Sequence, residues 1–210
     1  MEHPKLYHSH FISTDNHFLI VEGPISGDAL SQWILHPDLD AFRQPKEQHK
    51  ALIEISKLPE GRIIIARDEQ TIVGYVTFHY PDEQERWSQE HMIDLIELGA
   101  IEVADDYRSM GLGRTMIETA FSHNQMESYI VFTTEYYWHW DLKGSGLDVW
   151  KYRKMMEKLM KCVGMEWYAT DDPEICSHPA NCLMVRIGKT VPLSSQEQFD
   201  HIRFQQRFMY

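Results

Sequence analysis

Between Leu98 and Arg114 the chain reads LGAIEVADDYRSMGLGR, and this order of residue types suits the holding of a phosphate-bearing ligand. Gly111 and Gly113 take side chains out of a tight turn, so a ligand can approach the backbone. A helix starting at that turn offers its first unpaired N–H groups and the positive end of its dipole. Arg108 and Arg114 bracket the turn with charge, and a diphosphate would satisfy these donors. Two familiar phosphate loops do not fit. A Gly-x-x-x-x-Gly-Lys-Ser/Thr loop is absent, and a dinucleotide fingerprint starting at Gly111 would need its third glycine where Met116 stands.

Such a turn needs a strand before it and a core-facing helix after it. A strand within Ile93 to Val103 leads into Ala104-Asp105-Asp106-Tyr107. After the turn, Gly113, Met116, Ile117, Ala120 and Phe121 follow the spacing of a helix with one apolar face. Upstream, Phe18 to Val21 reads as a strand, Ser26 to Leu35 and Pro45 to Ser56 as helices, and Arg62 to Arg67 with Thr71 to Tyr80 as a hairpin. Residues 81–91 are almost wholly polar and read as a surface loop. Downstream come a strand at Ser128 to Thr134, a helix at Asp148 to Lys161 stopped by Gly164, and extended segments at Met165 to Ala169 and Leu183 to Ile187. Ser194-Ser195-Gln196-Glu197 has the pattern of a capping box opening a last helix. The order β-α-α-β-β-β-α-β-α-β predicts an α/β (α+β) fold, a mixed sheet flanked by helices. No repeat or linker divides the chain, so residues 1–210 are expected to form one domain with a less regular C-terminal elaboration from about 171 to 210.

Composition narrows the classes of function. The 20 Lys+Arg against 32 Asp+Glu give a net charge of −12, which argues against sequence-independent nucleic-acid binding. It is compatible with a basic or lysine-bearing partner. No apolar run approaches the roughly 18 residues of a membrane span, and Met1-Glu2-His3-Pro4 lacks the character of a signal peptide. Three cysteines, Cys162, Cys176 and Cys182, are too few for a disulfide scaffold, so a cytoplasmic location is expected.

Arg108-x-x-Gly111-x-Gly113 directly after a strand, with Val103 five residues before Arg108 and Gly164-Met165 further on, resembles the Gcn5-related N-acetyltransferases (GNAT family). In that family the turn holds the pyrophosphate of acetyl-CoA. The resemblance implies a GNAT acyl-CoA N-acyltransferase fold with a mostly antiparallel sheet of six or seven strands. It implies a cofactor track in which Ile101 and Val103 offer backbone groups to the pantetheine. At the far end, Arg108 and the amides of Met110, Gly111, Leu112, Gly113 and Arg114 serve the pyrophosphate. Acetyl-CoA would sit where the strand ending at Val103 splays from the one at 129–134. The stretches TTEYYWHWDLKGSGLDVWKYRKMMEK and DDPEICSHPANCLM, with the terminal RFMY, resemble the bacterial acetoin-utilisation acetyltransferases over nearly the whole chain. That implies a protein lysine acetyltransferase whose partner is acetyl-CoA synthetase, inactivated by acetylation of its active-site lysine. Acetylation of a small amine or of another protein, and a non-catalytic acetyl-CoA-binding regulatory module, are the alternatives.

Acetylating a lysine requires a neutral amine, whose free pKa is about 10.4, so a general base helps. Along the strand, Glu97, Gly99, Ile101 and Val103 share one face, and Leu98, Ala100 and Glu102 the other. Glu97 to Val103 spans roughly 20 Å, the scale of a pantetheine arm. By resemblance Glu97 occupies the position of the base, with Glu102 as second choice. The tyrosine that serves relatives as acid is here Met160; Tyr152 lies two turns earlier, Tyr136 and Tyr137 lie beyond the preceding strand, and the acid stays unassigned. Cys176-x-His178-x-x-x-Cys182 has soft ligands but lacks the paired spacing of a zinc site, so no metal is expected. With Pro173 and Pro179 in it, 171–182 is expected to be an ordered loop beside the acceptor groove. The aromatic run Tyr136 to Trp140 reads either as loop anchoring or as the lining of a groove for a partner, and the acidic 81–90 loop can steer a basic substrate.

Overall fold

A computed structural model describes residues 2–14 and 17–205; the terminal RFMY lies outside them. The chain forms two compact units, one of Glu2–His79 with Leu98–His123, the other of Tyr80–Glu97 with Asn124 onward. Elements are numbered along the chain.

The first, N-terminal unit carries β1 (His8–Ser13), β2 (Phe18–Gly23), β3 (Ile34–Leu35), β4 (Arg62–Asp68), β5 (Thr71–His79) and the end of β6 (Leu95–Val103). Its strands lie in the order β1-β2-β4-β5-β6. The first three pairings are antiparallel, and β3 lies parallel to β5. The β-branched run Ile63-Ile64-Ile65 is fully buried, as a central strand with both faces covered must be. The helices are α1 (Gly27–Leu30), α2 (Pro45–Lys57) and α3 (Leu112–Ala120). Proline opens α2, where its missing N–H costs nothing. Met116, Ile117 and Ala120 of α3 are buried, as their spacing requires. The helix seats closely because Gly74 has no side chain: a Cβ there would stand 3.1 Å from the Met116 methyl.

The second, C-terminal unit contains the start of β6, β7 (Ile130–Glu135), β8 (Glu166–Tyr168) and β9 (Cys182–Ile187), in the order β6-β7-β9-β8. β6 runs parallel to β7 for three residue pairs, Leu95↔Ile130 to Glu97↔Phe132. β7 continues alone against β9 as far as Glu135↔Cys182. Its helices are α4 (Leu142–Ser145), α5 (Val149–Lys161), α6 (Pro173–Cys176) and α7 (Leu193–Arg203). One side of β7 and β9 buries Ile130, Phe132 and Val185 against Trp87 and Phe199.

A mixed sheet flanked by helices agrees with the sequence, and the departures have local causes. Nine strands are assigned among the described residues, against six or seven expected. β1 was hidden because HSHFIS is polar and mostly exposed. The helix expected over Ser26 to Leu35 stops at Leu30, since Ile34 and Leu35 pair with Thr71 and Ile72 instead. Residues 81–91 are not only a loop: a 3-10 turn at Arg86–Ser88 buries Trp87 to 3% exposure. In 171–182, Pro173 starts α6 rather than preventing it, because the Asp172 side chain caps the helix and proline suits the first position. The capping box expected at Ser194 does not form; α7 begins at Leu193 behind Pro192, with no side-chain cap.

Candidate active site

In the N-terminal unit the glycine turn has the shape an anion cradle needs. Gly111 is left-handed (φ 79°) and stands at the N-cap of α3, where no side chain caps the helix. A Cβ at Gly111 would meet nothing within 4 Å, so the space beside it is open. The N–H groups of Leu112 and Gly113 lie ahead of the first helical bond, Thr115 N to Gly111 O, and have no protein acceptor among the described residues. Two or more aligned donors at a helix start fit a diphosphate oxygen. The arginines are engaged rather than loose. Arg108 donates to the Val103 carbonyl (3.2 Å) and pairs with Asp105 (2.8 Å), and Arg114 pairs with Glu118 (2.8 Å). Backbone amides and the helix dipole therefore supply most of the cradle's attraction.

β6 alternates as its sequence predicts. Glu97, Gly99, Ile101 and Val103 keep solvent access and Leu98 and Glu102 are buried, while Ala100 is only half-buried and Leu95, on the Glu97 face, is buried. Gly99 also answers a close approach that sequence reasoning passed over: a Cβ there would overlap the His79 imidazole at the end of β5. A lone glycine inside a strand is the signal that could have found it.

Glu97 lies in the C-terminal unit, opposite Phe132 at the last β6–β7 pair. Its carboxyl is hemmed in by protein although the residue keeps a partial opening to solvent, and among the described residues no group hydrogen-bonds or ion-pairs with it. Loss of water, reinforced by the charges of Glu85 and Asp82, raises its pKa to about 8. Such a carboxyl trades its proton near neutral pH, where a general base works best.

Glu102 has a different setting in the N-terminal unit. It is 7% exposed, and both oxygens accept hydrogen bonds, from the Tyr75 hydroxyl at 2.6 Å and the Ala41 amide at 2.8 Å. Burial raises its pKa, and these two bonds act against the rise. It joins the chain before α2 to the sheet.

The family's acid position is filled by Met160, fully buried. Of the three phenols, Tyr152 stacks on Trp140 (5.2 Å between ring centres) and Tyr137 packs on His178 (4.2 Å). Tyr136 shares the Glu85 charge with Glu97, and burial followed by Asp172 raises its pKa, so it stays protonated. A further carboxyl not foreseen, Glu135, is buried at the end of β7; it accepts from Trp140 Nε1 at 2.9 Å, and burial pushes its pKa to about 7. The Cys176, His178 and Cys182 side chains serve separate neighbours: Cys176 is exposed and Cys182 is buried. No group of three or more His, Cys, Asp or Glu able to hold a metal ion occurs among the described residues.

Comparison with known proteins gives the family. The model of the acetyltransferase (GNAT) family matches residues 28–136. The acetoin utilization protein AcuA of Bacillus subtilis (strain 168) is 61% identical over 210 residues, the full length of both chains. The chain belongs to the GNAT acetyltransferase family. Its Bacillus licheniformis relative, also called acetoin utilization protein AcuA, is 59% identical over the full length of both. The crystal structure of an acetoin utilization protein from Exiguobacterium sibiricum superposes with a TM-score of 0.96 at 52% identity, covering 99% of this chain and 98% of that one. The protein is thus an acetyl-CoA-dependent N-acetyltransferase.

Proposed function

We propose that this GNAT acetyltransferase moves the acetyl group of acetyl-CoA onto a lysine ε-amine of a protein, that the protein is acetyl-CoA synthetase, and that it does so in the cytoplasm as part of acetoin use. The names of the full-length relatives support the metabolic setting. In this reading residues 1–210 work as one acetyltransferase domain. The observation that carries the chemistry is Glu97: an enclosed carboxyl with no partner, on the strand that ends at the cradle.

Leu112 and Gly113, with Met110, Gly111, Arg114 and Arg108 around them, hold the pyrophosphate, and Ile101 and Val103 offer backbone groups to the pantetheine. Glu97 takes a proton from the incoming ammonium, directly or through one water. The freed nitrogen bonds to the thioester carbon, the carbon–sulfur bond breaks, and the nitrogen's second proton is released as the amide forms. Tyr136 relays a proton to the departing thiolate and is replenished by the one the nitrogen releases. Positioning supplies most of the rate. Glu102, with both oxygens committed, is given a structural role.

Mass spectrometry of acetyl-CoA synthetase after incubation with the protein and acetyl-CoA tests this. One lysine should gain an acetyl group, with loss of synthetase activity. Labelling of small amines with an untouched synthetase would overturn it. Gly111→Asp is the control. Open space and the tolerance of aspartate for left-handed backbone leave the fold intact, while its charge should abolish acetyl-CoA binding in calorimetry.

A further inference from the structure

Two segments of the C-terminal unit carry carboxylates beside the one that holds Glu97, and a third carries aromatic rings. Asp82 and Glu85 come from the chain before β6, and Asp172 and Glu174 from α6 and its cap. Glu97 is influenced by Glu85 and Asp82; Glu85 by Asp82, Glu174 and Asp172; and Tyr136 by Asp172, Glu174 and Glu85. Geometry brings the segments together: Trp87, next to Arg86, packs on Phe132 with 5.1 Å between ring centres, and Phe132 is the residue paired with Glu97. Arg86 spans two of the segments, 2.8 Å from Asp171 and 3.4 Å from Asp172. Asp82 accepts from Gln84 N, and Asp172 caps α6. The third segment is tied in by Asn181, which accepts from Tyr137 N and donates to the Glu174 carbonyl, both at 3.0 Å.

Arg86 is committed to Asp171 and Asp172, and no ion pair neutralises Asp82, Glu85 or Glu174 among the described residues. All three are exposed. Beside them Trp138, 48% exposed, stacks on Tyr136 with 4.8 Å between ring centres. A lone acidic patch says little, but here its segments pack against the strand pair that holds a carboxyl with no partner, and against the segment that carries an open indole. An indole face binds a cation, and unpaired carboxylates that repel one another gain most from one. A small amine brings a single positive charge, enough for Glu97. The outer carboxylates and the indole require more cations, spaced like neighbouring side chains.

We infer that the rim of Asp82, Glu85, Glu174 and Trp138 selects acceptor lysines that lie within a basic segment of a protein partner, flanked by further Lys or Arg. This rests on the assignment of Glu97 as the base, and it adds which lysines the enzyme prefers.

Two lysine peptides of equal length test it, one with arginines flanking the lysine and one with glutamates, in steady-state kinetics with acetyl-CoA. The basic peptide should have a KM at least tenfold lower, and the gap should close at about 0.5 M salt, where the screening length falls to a few ångströms. Asp82→Asn/Glu85→Gln/Glu174→Gln should remove the preference at an unchanged acetyl-CoA affinity. Trp138→Ala should raise the basic peptide's KM about two- to fivefold, the range of an exposed cation–π contact. Melting of the triple variant checks that it folds; losing mutually repelling surface charges should not lower it. Equal KM values for the two peptides, or a triple variant that keeps the preference, would overturn the inference and leave lysine acetylation standing. If neither peptide is acetylated, calorimetry of their binding decides: salt-sensitive binding of the basic peptide alone upholds the rim, while lysine transfer fails; equal or absent binding overturns the rim too.

Discussion

Glu97 and Glu102 lie five residues apart on β6, one in each unit, and in both carboxyls the withdrawal of water raises the pKa. What separates them is the answer each receives. Glu102 accepts from the Tyr75 hydroxyl and the Ala41 amide, so its lone pairs are used up in joining a loop to a strand. Glu97 receives no such bond, and its nearest charges are of its own sign. Burial alone therefore does not mark a base. A desolvated carboxylate with its hydrogen bonds made is a fastener, and one with them unmade is ready to take a proton. Glu135 falls between: enclosed, with one bond from Trp140 and a pKa near 7.

The sharpest way to break this contrast is Glu97→Gln, which keeps size and removes basicity. Turnover should fall about 10²–10⁴-fold while acetyl-CoA binding persists. In the parent enzyme, activity should climb with pH through about 8 as Glu97 ionises, and the variant should lose that inflection. Stability runs the other way. Between the ordinary carboxyl pKa of 4.5 and about 8, the folded protein holds a proton that the unfolded chain has released. Stability from this group is therefore full below that window and lost as pH rises through it, and denaturation curves of the variant should show a weaker pH dependence there. Wild-type turnover in Glu97→Gln would remove the assignment.

A smaller effect, of another kind, is expected of Glu102→Leu. It strands a buried hydroxyl and a buried amide, at a cost of about 1–3 kcal/mol for each, visible in denaturant midpoints. Turnover of the folded fraction should stay within about threefold; a folded but inactive protein would reverse the roles of the two glutamates. The smallest change is Trp140→Phe, which takes away the bond that restrains Glu135. NMR titration should then find the Glu135 carboxyl above its present value of about 7, with about 1 kcal/mol of stability lost and turnover unaffected. A titration that does not move would show that hydrogen bonding does not order these three carboxyls.

The cradle was legible because everything that makes it lies in consecutive residues: a strand, a left-handed glycine and an apolar helix face. The face shared by Glu97, Ile101 and Val103 was legible for the same reason, since alternation is a local rule. What the sequence concealed depends on distant partners. Trp87 reads as one aromatic residue in a polar loop until Phe132 and Phe199 bury it. Ile34 and Leu35 look helical until β5 offers an edge. Arg86 meets Asp171 across 85 residues of chain, and neither belongs to a motif. The fate of Glu102 turned on a hydroxyl 27 positions away and an amide 61 positions away, distances no periodicity reaches.

Cys182 faces Glu135 across β7 and β9, and burial together with that carboxylate pushes its thiol up to about 12. At neutral pH almost no thiolate exists there, so maleimides and mild oxidants should leave it alone. Cys176, at the end of the short helix whose first turn carries Glu174, is exposed and open to reagents. A dye attached to Cys176 would stand at the border of the acidic rim and change brightness as a basic segment arrives. The protein thus carries a place for an optical reporter of its own encounters.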